Sequence, residues 1–243
     1  MANPLSTLLL VALLSLSAAA ATRTKLQPTN NVDGGICKSL VETQGYACEE
    51  HKVTTADGYV LGLQRIPAGR SGNKTAAKLP VLLQHGLLMA YWDWSWDELT
   101  TYDLPAAFQY VNNQTGQKLH YVGHSLGTLT ALAAFSQEKL LNLLRSAALL
   151  SPIAYLGQIS RFGRTTADIF LAQGTIEMYD YGLPITNMQH YRQPTPPVYN
   201  MANIPKDVPL FLSYGGRDRL SNVFDVNLLL DNLKDHDKDK LVV

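Results

Sequence analysis

LHYVGHSLGT, residues 119–128, is the stretch that decides the fold. A short β-type run, LHYV, leads directly into the glycine-flanked GHSLG, and an apolar helical run, TLTALAAF, follows at once. A strand, a tight turn and a helix in this order present the central serine, Ser125, above the end of a sheet. Gly123 and Gly127 leave room for the turn because neither carries a Cβ atom. We therefore predict that Ser125 is a nucleophile; the alternative is a glycine-rich turn with an unused serine.

The sequence on both sides of this stretch alternates between strand and helix patterns. Strands are predicted at residues 50–54 and 59–66, which form a hairpin around Asp57-Gly58, and at residues 79–84, 118–122, 146–151, 209–214 and 241–243. Helices are predicted from Ser95 onward, over residues 126–135 and over residues 222–233. Pro105 must kink the first helix or force it to restart with Asp103 as its cap. The alternation predicts the α/β class, with a mostly parallel, doubly wound sheet.

The composition excludes several classes of protein. Of 243 residues, 46% are hydrophobic and 16% are charged, and 20 basic residues balance 20 acidic ones. Nucleic-acid binders usually carry a basic excess, and disordered chains are poor in apolar residues. Two cysteines cannot supply a four-thiolate zinc site, and the sequence contains no HExxH motif. We therefore expect a neutral globular protein that binds neither nucleic acid nor a metal ion.

Residues 8–21 form an apolar run that ends in four alanines. As a helix this run is about 21 Å long, which is too short for a hydrocarbon core of about 30 Å. Small residues at its end favour a secretory signal peptide over residues 1–21, cleaved near Ala20 or Ala21. A membrane anchor is the alternative. With the signal peptide removed, we expect no transmembrane anchor in the mature chain.

Export would place the rest of the chain in a compartment that permits disulfides. Cys37 and Cys48 are 11 residues apart, so we expect a local disulfide between them; two free thiols are the alternative. The N-x-Thr sequons at Asn73 and Asn113 would be available to glycosylation in the same compartment.

A nucleophilic serine also needs backbone donors for the oxyanion, a general base and an acid. The N–H group of Leu126 is one donor. The N–H group of Leu87, which follows His85-Gly86 at the end of a predicted strand, is the natural second donor. Asp218 lies in the loop after the strand at 209–214 and is the expected acid. A solvated loop aspartate is the alternative for this residue.

Five stretches carry a family resemblance: GYACEEHKVTTADGYVLGLQRIP at 45–67, HGLL at 85–88, YWDWSWDEL at 91–99, LHYVGHSLGT at 119–128 and LFLSYGGRD at 210–218. They resemble the acid lipases of the α/β-hydrolase superfamily, which include gastric and lysosomal lipases and plant triacylglycerol lipases. The plant branch is the most similar. The resemblance covers residues 37–243 and implies one α/β-hydrolase domain there, with residues 153–208 as a shortened helical cap.

The resemblance implies hydrolysis of triacylglycerols or related lipid esters through a serine acyl-enzyme, without any cofactor. By position, Ser125 corresponds to the nucleophile, Asp218 to the triad acid, and Leu87 and Leu126 to the oxyanion donors. The expected partner is a lipid ester or a lipid–water interface. The expected location is outside the cell or in the lumen of a vacuole or lysosome.

The main departure from the family concerns the triad histidine. The family has it in a loop after the last strand, and the chain as given stops at Val243 within that predicted strand. His236 follows Asp218, but we expect it at the opposite end of the sheet because the helix at 222–233 carries the chain back. His190, in the cap region, is the other candidate, and the remaining histidines belong to the hairpin, the oxyanion turn, the strand and the serine turn: His51, His85, His120 and His124. We therefore expect the triad histidine to be absent from this chain and the C-terminus to be incomplete.

Two internal stretches also lack residues that the family has. A helix and a strand are missing between about Met89 and Tyr91, which would leave a parallel sheet edge uncovered, and the cap is short. Trp92, Trp94 and Trp96 are expected to pack around a helix N-terminus, with the lining of an acyl pocket as the alternative.

Two functional hypotheses remain. One is an active esterase with a non-standard base; the other is a non-catalytic product, such as a lipid-binding pseudoenzyme, a splice variant or an incomplete gene model.

Overall fold

The computed structural model describes residues 35–72, 78–86, 96–155, 176–218 and 220–243. The predicted signal peptide, residues 1–21, lies outside these ranges, as do Asn73 and Leu87. Within them, no helix is both long enough and apolar enough to pass through a membrane.

The described strands form two sheets, and their bounds follow the predicted runs closely. The first sheet is the antiparallel hairpin of β1 (Glu49–Thr54) and β2 (Val60–Arg65). The second sheet contains five parallel strands in chain order: β3 (Val81–Gln84), β4 (Leu119–His124), β5 (Leu144–Leu150), β6 (Leu210–Ser213) and β7 (Leu241–Val242). This arrangement confirms the predicted α/β class with a parallel sheet.

Helices connect the parallel strands. They are α1 (Leu104–Thr115) between β3 and β4, α2 (Leu126–Ser136) between β4 and β5, and α4 (Val223–Asn232) between β6 and β7. A further helix, α3 (Pro184–Tyr191), lies in the long connection between β5 and β6, within the expected cap region at 153–208, although the residue pattern alone predicted no helix at these positions. Shorter turns are a π-type turn at Cys37–Val41, 3-10 turns at Glu42–Gln44 and Met201–Asn203, and a single α-turn at Trp96–Glu98.

The chain accommodates Pro105 neither by a kink nor by a new helix capped by Asp103. Asp103 has helical backbone angles and its side chain caps nothing, so the expected cap is not formed. Instead, a π-type turn at Leu99–Asp103 joins the first helical turn to α1, and the N–H group of Leu104 donates to the carbonyl of Leu99. Pro105 then falls in the first turn of α1, where its missing N–H group removes no intrahelical hydrogen bond.

The core lies between the sheet and α2. All residues of α2 are buried, and the side chains of Leu119 and Tyr121 on β4 reach the same cluster. Fully burying one such leucine or aromatic side chain stabilises the fold by about 1.5–3 kcal/mol. This buried helix fixes the position of the residue before it, Ser125.

The other face of the sheet is more open in the described part of the chain. A row of cross-strand partners crosses it from β3 to β7: Leu83, Val122, Ala148, Phe211 and Val242. Leu83 is 74% exposed and Phe211 is 43% exposed. The strand β3 lies at the edge of its sheet, and β2 belongs to the separate hairpin. Among the described strands, none pairs with the outer edge of β3, as we expected from the missing strand.

A disulfide and three linked side-chain contacts hold the hairpin region in place. The predicted disulfide between Cys37 and Cys48 is present, with a Cα–Cα distance of 5.4 Å. The hydroxyl of Tyr110 on α1 lies 2.8 Å from Nδ1 of His51 on β1. On the other side of the same ring, Glu49 lies 3.3 Å from His51 Nε2 and pairs with Arg65 at 2.6 Å. This chain of contacts ties the hairpin to the first helix of the parallel sheet.

Candidate active site

Ser125 occupies a sharp turn between β4 and α2. Its φ is 54° and its ψ is −117°, a conformation that non-glycine residues rarely adopt and that costs about 1–3 kcal/mol. Its N–H group donates to the carbonyl of Leu150 on β5 at 3.1 Å, and its carbonyl accepts from the N–H group and the hydroxyl of Thr128 at 2.8 and 2.6 Å. The turn predicted from GHSLG is therefore present, and it is held on both sides.

The two glycines of the motif are required by backbone contacts. A Cβ atom at Gly123 would lie 2.8 Å from the carbonyl oxygen of Gly127, and one at Gly127 would lie 2.7 Å from the carbonyl oxygen of Gln84. The hydroxyl of the buried Tyr121 donates to that same Gly127 carbonyl at 2.6 Å, and burial raises the pKa of this phenol, so it remains a donor. The strands β3 and β4 and the start of α2 thus meet with no space for a side chain.

The oxyanion region lies between the end of β3 and the start of α2. Gly86 follows β3, and a Cβ atom there would lie 2.9 Å from the Cβ of Ser125. Leu126 is the first residue of α2, so its N–H group is one of the helix donors that have no intrahelical acceptor. Leu87, the second predicted donor, lies outside the described residues. The described part of this region places Gly86 and Leu126 on either side of Ser125.

Asp218 lies in the loop after β6, as predicted. Its Oδ1 accepts from the N–H groups of Leu220 at 2.9 Å and Ser221 at 3.0 Å. Burial raises the pKa of this carboxyl, but those two hydrogen bonds, a third from the Ser151 hydroxyl and the charge of His124 outweigh it and hold the pKa below its ordinary value. Asp218 is therefore a fixed carboxylate at neutral pH, at the same end of the sheet as Ser125.

The described histidines other than His124 are engaged elsewhere. His236 is buried and its Nε2 lies 2.8 Å from the carbonyl oxygen of Val208, just before β6 begins, so it sits at the end of the sheet opposite to Asp218, as expected. His190 stacks on Tyr181 with ring centroids 3.7 Å apart. Side-chain or backbone oxygens lie within hydrogen-bond distance of the remaining rings: Tyr110 at His51, Gly86 at His85 and Ser146 at His120.

A groove of about 960 Å³ lies beside the candidate site. It begins at Gly86 and Leu126 and continues along the edge of β3 to the hairpin. Apolar side chains predominate along its walls: Leu61, Leu63, Ile66, Val81, Leu83, Leu99 and Val111. Its volume falls in the range of small-molecule sites, so it can hold a ligand of lipid character.

The predicted tryptophan cluster and cap are described only in part. Trp96 is 2% exposed and packs against Tyr199, with ring centroids 5.3 Å apart, so this tryptophan packs at the start of a helix as expected. Trp92 and Trp94 lie outside the described residues, as do residues 156–175 of the cap region.

Sequence reasoning missed two residues of this region. Ser151 follows β5 with a φ of 49° and donates to Asp218, but a serine after a strand carries no signal for either feature. His124 was assigned only to the serine turn, although its charge reaches Asp218 across the end of β5. Ser151 and Asp218 follow neighbouring strands, and His124 lies one strand further along the sheet, an order that the linear sequence does not reveal.

Comparison with known proteins gives the family. A family model described as a partial alpha/beta-hydrolase lipase region matches residues 37–97. Triacylglycerol lipase 2 from Arabidopsis thaliana is 33% identical over 343 aligned positions, which cover 89% of this chain and 82% of that protein. Because the aligned region is longer than the chain itself, the Arabidopsis protein has residues there with no counterpart in this chain.

Other relatives extend the same pattern. Gastric triacylglycerol lipase from Mus musculus is 27% identical, and the match covers 86% of this chain and 85% of that protein. Among solved structures, the Pyrococcus furiosus esterase Pf2001 matches with a TM-score of 0.56 at 17% identity, covering 83% of each chain, which supports the fold alone. Taken with the serine turn and the parallel sheet, the 33% identity over most of the Arabidopsis protein shows that the chain belongs to the acid lipase family of α/β-hydrolases.

Proposed function

We propose that this protein is a serine ester hydrolase that acts on triacylglycerols or related lipid esters. The observation that carries the proposal is the conformation of Ser125, with a positive φ at the start of a fully buried helix. Such a strained turn is retained where the surrounding structure forces it, and it presents the serine hydroxyl beside the first N–H groups of the helix.

In the proposed reaction, the Ser125 oxygen attacks the ester carbonyl and its proton passes to a general base. The negative charge on the carbonyl oxygen is stabilised by the N–H groups of Leu126 and Leu87, and by the N-terminal end of α2. The C–O bond to the alcohol then breaks, the base returns the proton to the leaving alkoxide, and water hydrolyses the acyl-enzyme. Asp218 supplies the carboxylate that stabilises the protonated base. No cofactor takes part.

The groove beside β3 supports a lipid substrate. It starts next to Gly86 and Leu126, where the ester carbonyl would lie, and its walls are mainly apolar. A lipid–water interface is the proposed source of the ester. We place the protein outside the cell or in a vacuolar or lysosomal lumen, in keeping with the disulfide and with the exposed sequon residue Asn113 on α1.

A fluorophosphonate probe tests this proposal, because it phosphonylates activated serines. We expect labelling of the folded protein, loss of labelling in Ser125→Ala, and hydrolysis of a p-nitrophenyl acyl ester by the wild type only. Absence of both labelling and hydrolysis in folded wild-type protein would refute the enzyme function.

One observation favours a second candidate, a lipid-binding protein without catalysis. Among the described residues, no histidine is hydrogen-bonded to Ser125 or to Asp218. In that case the groove would bind a fluorescent fatty acid, and Ser125→Ala would bind it equally well without any probe labelling in either protein.

A further inference from the structure

The groove beside β3 is bounded by the free edges of two strands. Two unbroken runs of residues line it, 59–67 around β2 and 78–86 around β3. Consecutive side chains of a strand point to opposite faces, so an unbroken run shows that each strand presents its edge to the groove. Among the described strands, β2 pairs only with β1 and β3 pairs only with β4. The groove is therefore the gap between the hairpin and the parallel sheet.

One side of α1 forms the floor of this gap. The residues that line it, from the cap position onward, recur at helical spacing: Asp103, Ala107, Tyr110, Val111 and Gln114. Ala107 is buried and Val111 packs against the core, so the centre of the floor is apolar. The helix rises about 18 Å over the 12 steps from Asp103 to Thr115. The floor is thus a strip of helix surface as long as the strand beside it.

One end of the groove touches the candidate site. Gly86 and Leu126 line this end, and a Cβ atom at Gly86 would lie 2.9 Å from the Cβ of Ser125. The hairpin turn lies near the same end, because the charge of Asp57 acts, after burial, to raise the pKa of Asp103 at the start of α1. An ester carbonyl at Ser125 would therefore sit at the mouth of the groove.

Charged groups mark the opposite end. Arg65 ends β2 and pairs with Glu49 at 2.6 Å, and Lys78 precedes β3. From Val81 to Gly86 the strand edge extends about 16 Å. An extended alkyl chain advances about 1.25 Å per carbon, from a C–C bond of about 1.52 Å and an angle of about 111°. About 13 carbons therefore span the apolar length between the candidate site and the charged end.

We propose that this groove binds the acyl chain of the ester in extended form, and that its length gives a preference for chains of about 12 to 14 carbons. This inference rests on the proposed function. The chain would lie on Ala107 and Val111, between the edges of β2 and β3. Carbons beyond the charged end gain no apolar contact there, so longer chains gain no further affinity.

The test is kcat/KM for p-nitrophenyl esters from butanoate to hexadecanoate, a series in which only the acyl chain changes. For the wild type we expect a rise of about twofold per methylene, half of the full transfer value because the groove is open on one side, and a plateau at about 12 to 14 carbons. A similar plateau is expected for the affinity of fatty acids that displace a fluorescent fatty acid, a readout that needs no catalysis.

Gly62→Phe places a ring in the middle of this groove. Gly62 lines the groove, and a Cβ atom there would meet only the side-chain nitrogen of Gln64, at 3.7 Å, so the backbone need not move. We expect the rise in kcat/KM to end at about half the wild-type chain length, so that the ratio of dodecanoate to butanoate hydrolysis falls by at least about tenfold. Gly69→Phe is the matched control, because a Cβ atom at Gly69 meets nothing within 4 Å and this residue lies outside the groove.

The outcomes separate this inference from the proposed function. If the wild type hydrolyses the esters but Gly62→Phe and Gly69→Phe keep the same chain-length profile, the groove does not bind the acyl chain and the hydrolase proposal stands. If Gly62→Phe changes only light scattering, the groove holds a strand of a second copy and the inference is overturned. If the wild type hydrolyses no ester, the hydrolase proposal fails, and equal binding of the fluorescent fatty acid by both variants overturns the inference as well.

A second variant decides if Gly62→Phe does not fold. Leu83→Lys places a charge in the opposite wall of the groove, at a side chain that is 74% exposed. A charge beside an alkyl chain disfavours its binding, so we expect a lower ratio of dodecanoate to butanoate hydrolysis than in the wild type. An unchanged ratio overturns the inference.

Discussion

Two serines at the candidate site have a positive φ, which residues other than glycine rarely adopt. Ser125 has a φ of 54° and Ser151, after the next strand, has a φ of 49°. The N–H group of Ser151 donates to the carbonyl of Ser213 on β6 at 2.8 Å, and its hydroxyl donates to Asp218. The strained residue thus places a donor between the strand that carries Ser125 and the loop that carries Asp218, which suggests a positioning role for Ser151.

Ser151→Ala should raise the pKa of Asp218. The hydroxyl is one of the groups that hold this pKa below its ordinary value, and alanine keeps the same backbone preferences without the donor. The measurement is a carboxyl ¹³C NMR titration of Asp218. In the control, Ser221→Ala, the side chain loses its bond to the Pro152 carbonyl but the N–H group that donates to Asp218 remains, so the pKa should stay low. An unchanged Asp218 pKa in Ser151→Ala would contradict the positioning role.

Gly127→Ala tests the close approach of α2 to β3. The new methyl group would lie 2.7 Å from the carbonyl oxygen of Gln84 and 3.0 Å from that of His85, and neither backbone atom can move without shifting the strand end. We expect the free energy of unfolding to fall by about 1–3 kcal/mol, as for other overpacked sites, and probe labelling of Ser125 to fall with it. Urea unfolding and labelling rates measure the two effects.

Gly69→Ala is the matched control for this substitution, because a Cβ atom at Gly69 would meet nothing within 4 Å. It should leave both stability and labelling close to the wild type. Equal stability of Gly127→Ala and Gly69→Ala would show that the tight packing at the serine turn is not required.

The sequence predicted the residues of the serine turn because their requirements are local. Gly123 and Gly127 are needed within five residues of each other, and the apolar runs on both sides fix where the strand ends and the helix begins. The links to Ser151 and His124 were not predictable. They depend on the order of the strands in the sheet, and no spacing in the chain encodes that order.

At the scale of elements, the spacing of apolar residues and their burial explain which helices and strands could be predicted from the sequence and which could not. Each predicted strand lies within two residues of an observed one, because buried parallel strands leave short apolar runs. The helix α3 at Pro184–Tyr191 was missed because only one of its residues, Asn187, is buried, so it has no apolar stripe. The π-type turn at Leu99–Asp103 was missed because it depends on how the chain accommodates Pro105.

The buried carboxyl of Asp97 links the helical turn at Trp96–Glu98 to the segment before α3 through hydrogen bonds. Asp97 accepts hydrogen bonds from the N–H group of Tyr179 and, at 3.0 Å, from the hydroxyl of Tyr199. Burial is the main cause that raises its pKa to about 6, and the charge of Glu98 adds to it. Asp103, on the following turn, also has a pKa of about 6, through burial and the charges of Asp57 and Glu98.

The sign of the resulting pH dependence follows from the raised pKa of Asp97. The folded state binds a proton up to about pH 6, whereas the unfolded state releases it near 3.8, so folding is favoured most strongly below pH 3.8. This contribution is lost as the pH rises through about 6, and it amounts to about 3 kcal/mol for a shift of about two pH units. Burial of the Asp97 carboxyl therefore destabilises the fold less in acid, where the group is neutral, than at neutral pH, and the hydrogen bonds from Tyr179 and Tyr199 oppose this effect because they favour the carboxylate.

Asp97→Asn should reduce this pH dependence. We expect the variant to be less stable than the wild type at pH 4, and the difference to shrink or reverse by pH 7, because asparagine carries no proton to lose. Urea unfolding at a series of pH values measures it. The control is Asp180→Asn, which removes an exposed carboxyl whose pKa is lowered by Asn187 and Gly182, so its contribution changes in the opposite direction. Parallel pH profiles of wild type and Asp97→Asn would contradict the argument.

For the molecule as a whole, the open sheet edge has the largest consequence. In the described residues, β3 pairs only with β4, and the backbone groups of Val81 and Leu83 face away from that partner. Their side chains are 52% and 74% exposed. An exposed apolar edge strand is a template for pairing with another chain, so self-association is expected at high protein concentration.

Leu83→Lys should suppress this self-association. A lysine at an edge strand adds charge repulsion and disfavours edge-to-edge pairing, while a side chain so exposed contributes little to the core, so the free energy of unfolding should change by no more than about 0.5 kcal/mol. Light scattering as a function of concentration measures the effect. Leu228→Lys, on the exposed side of α4, adds the same charge away from the sheet and is the matched control. If both lysines suppress scattering equally, net charge explains the result; if only Leu83→Lys does, the edge of β3 is the surface through which the molecules associate.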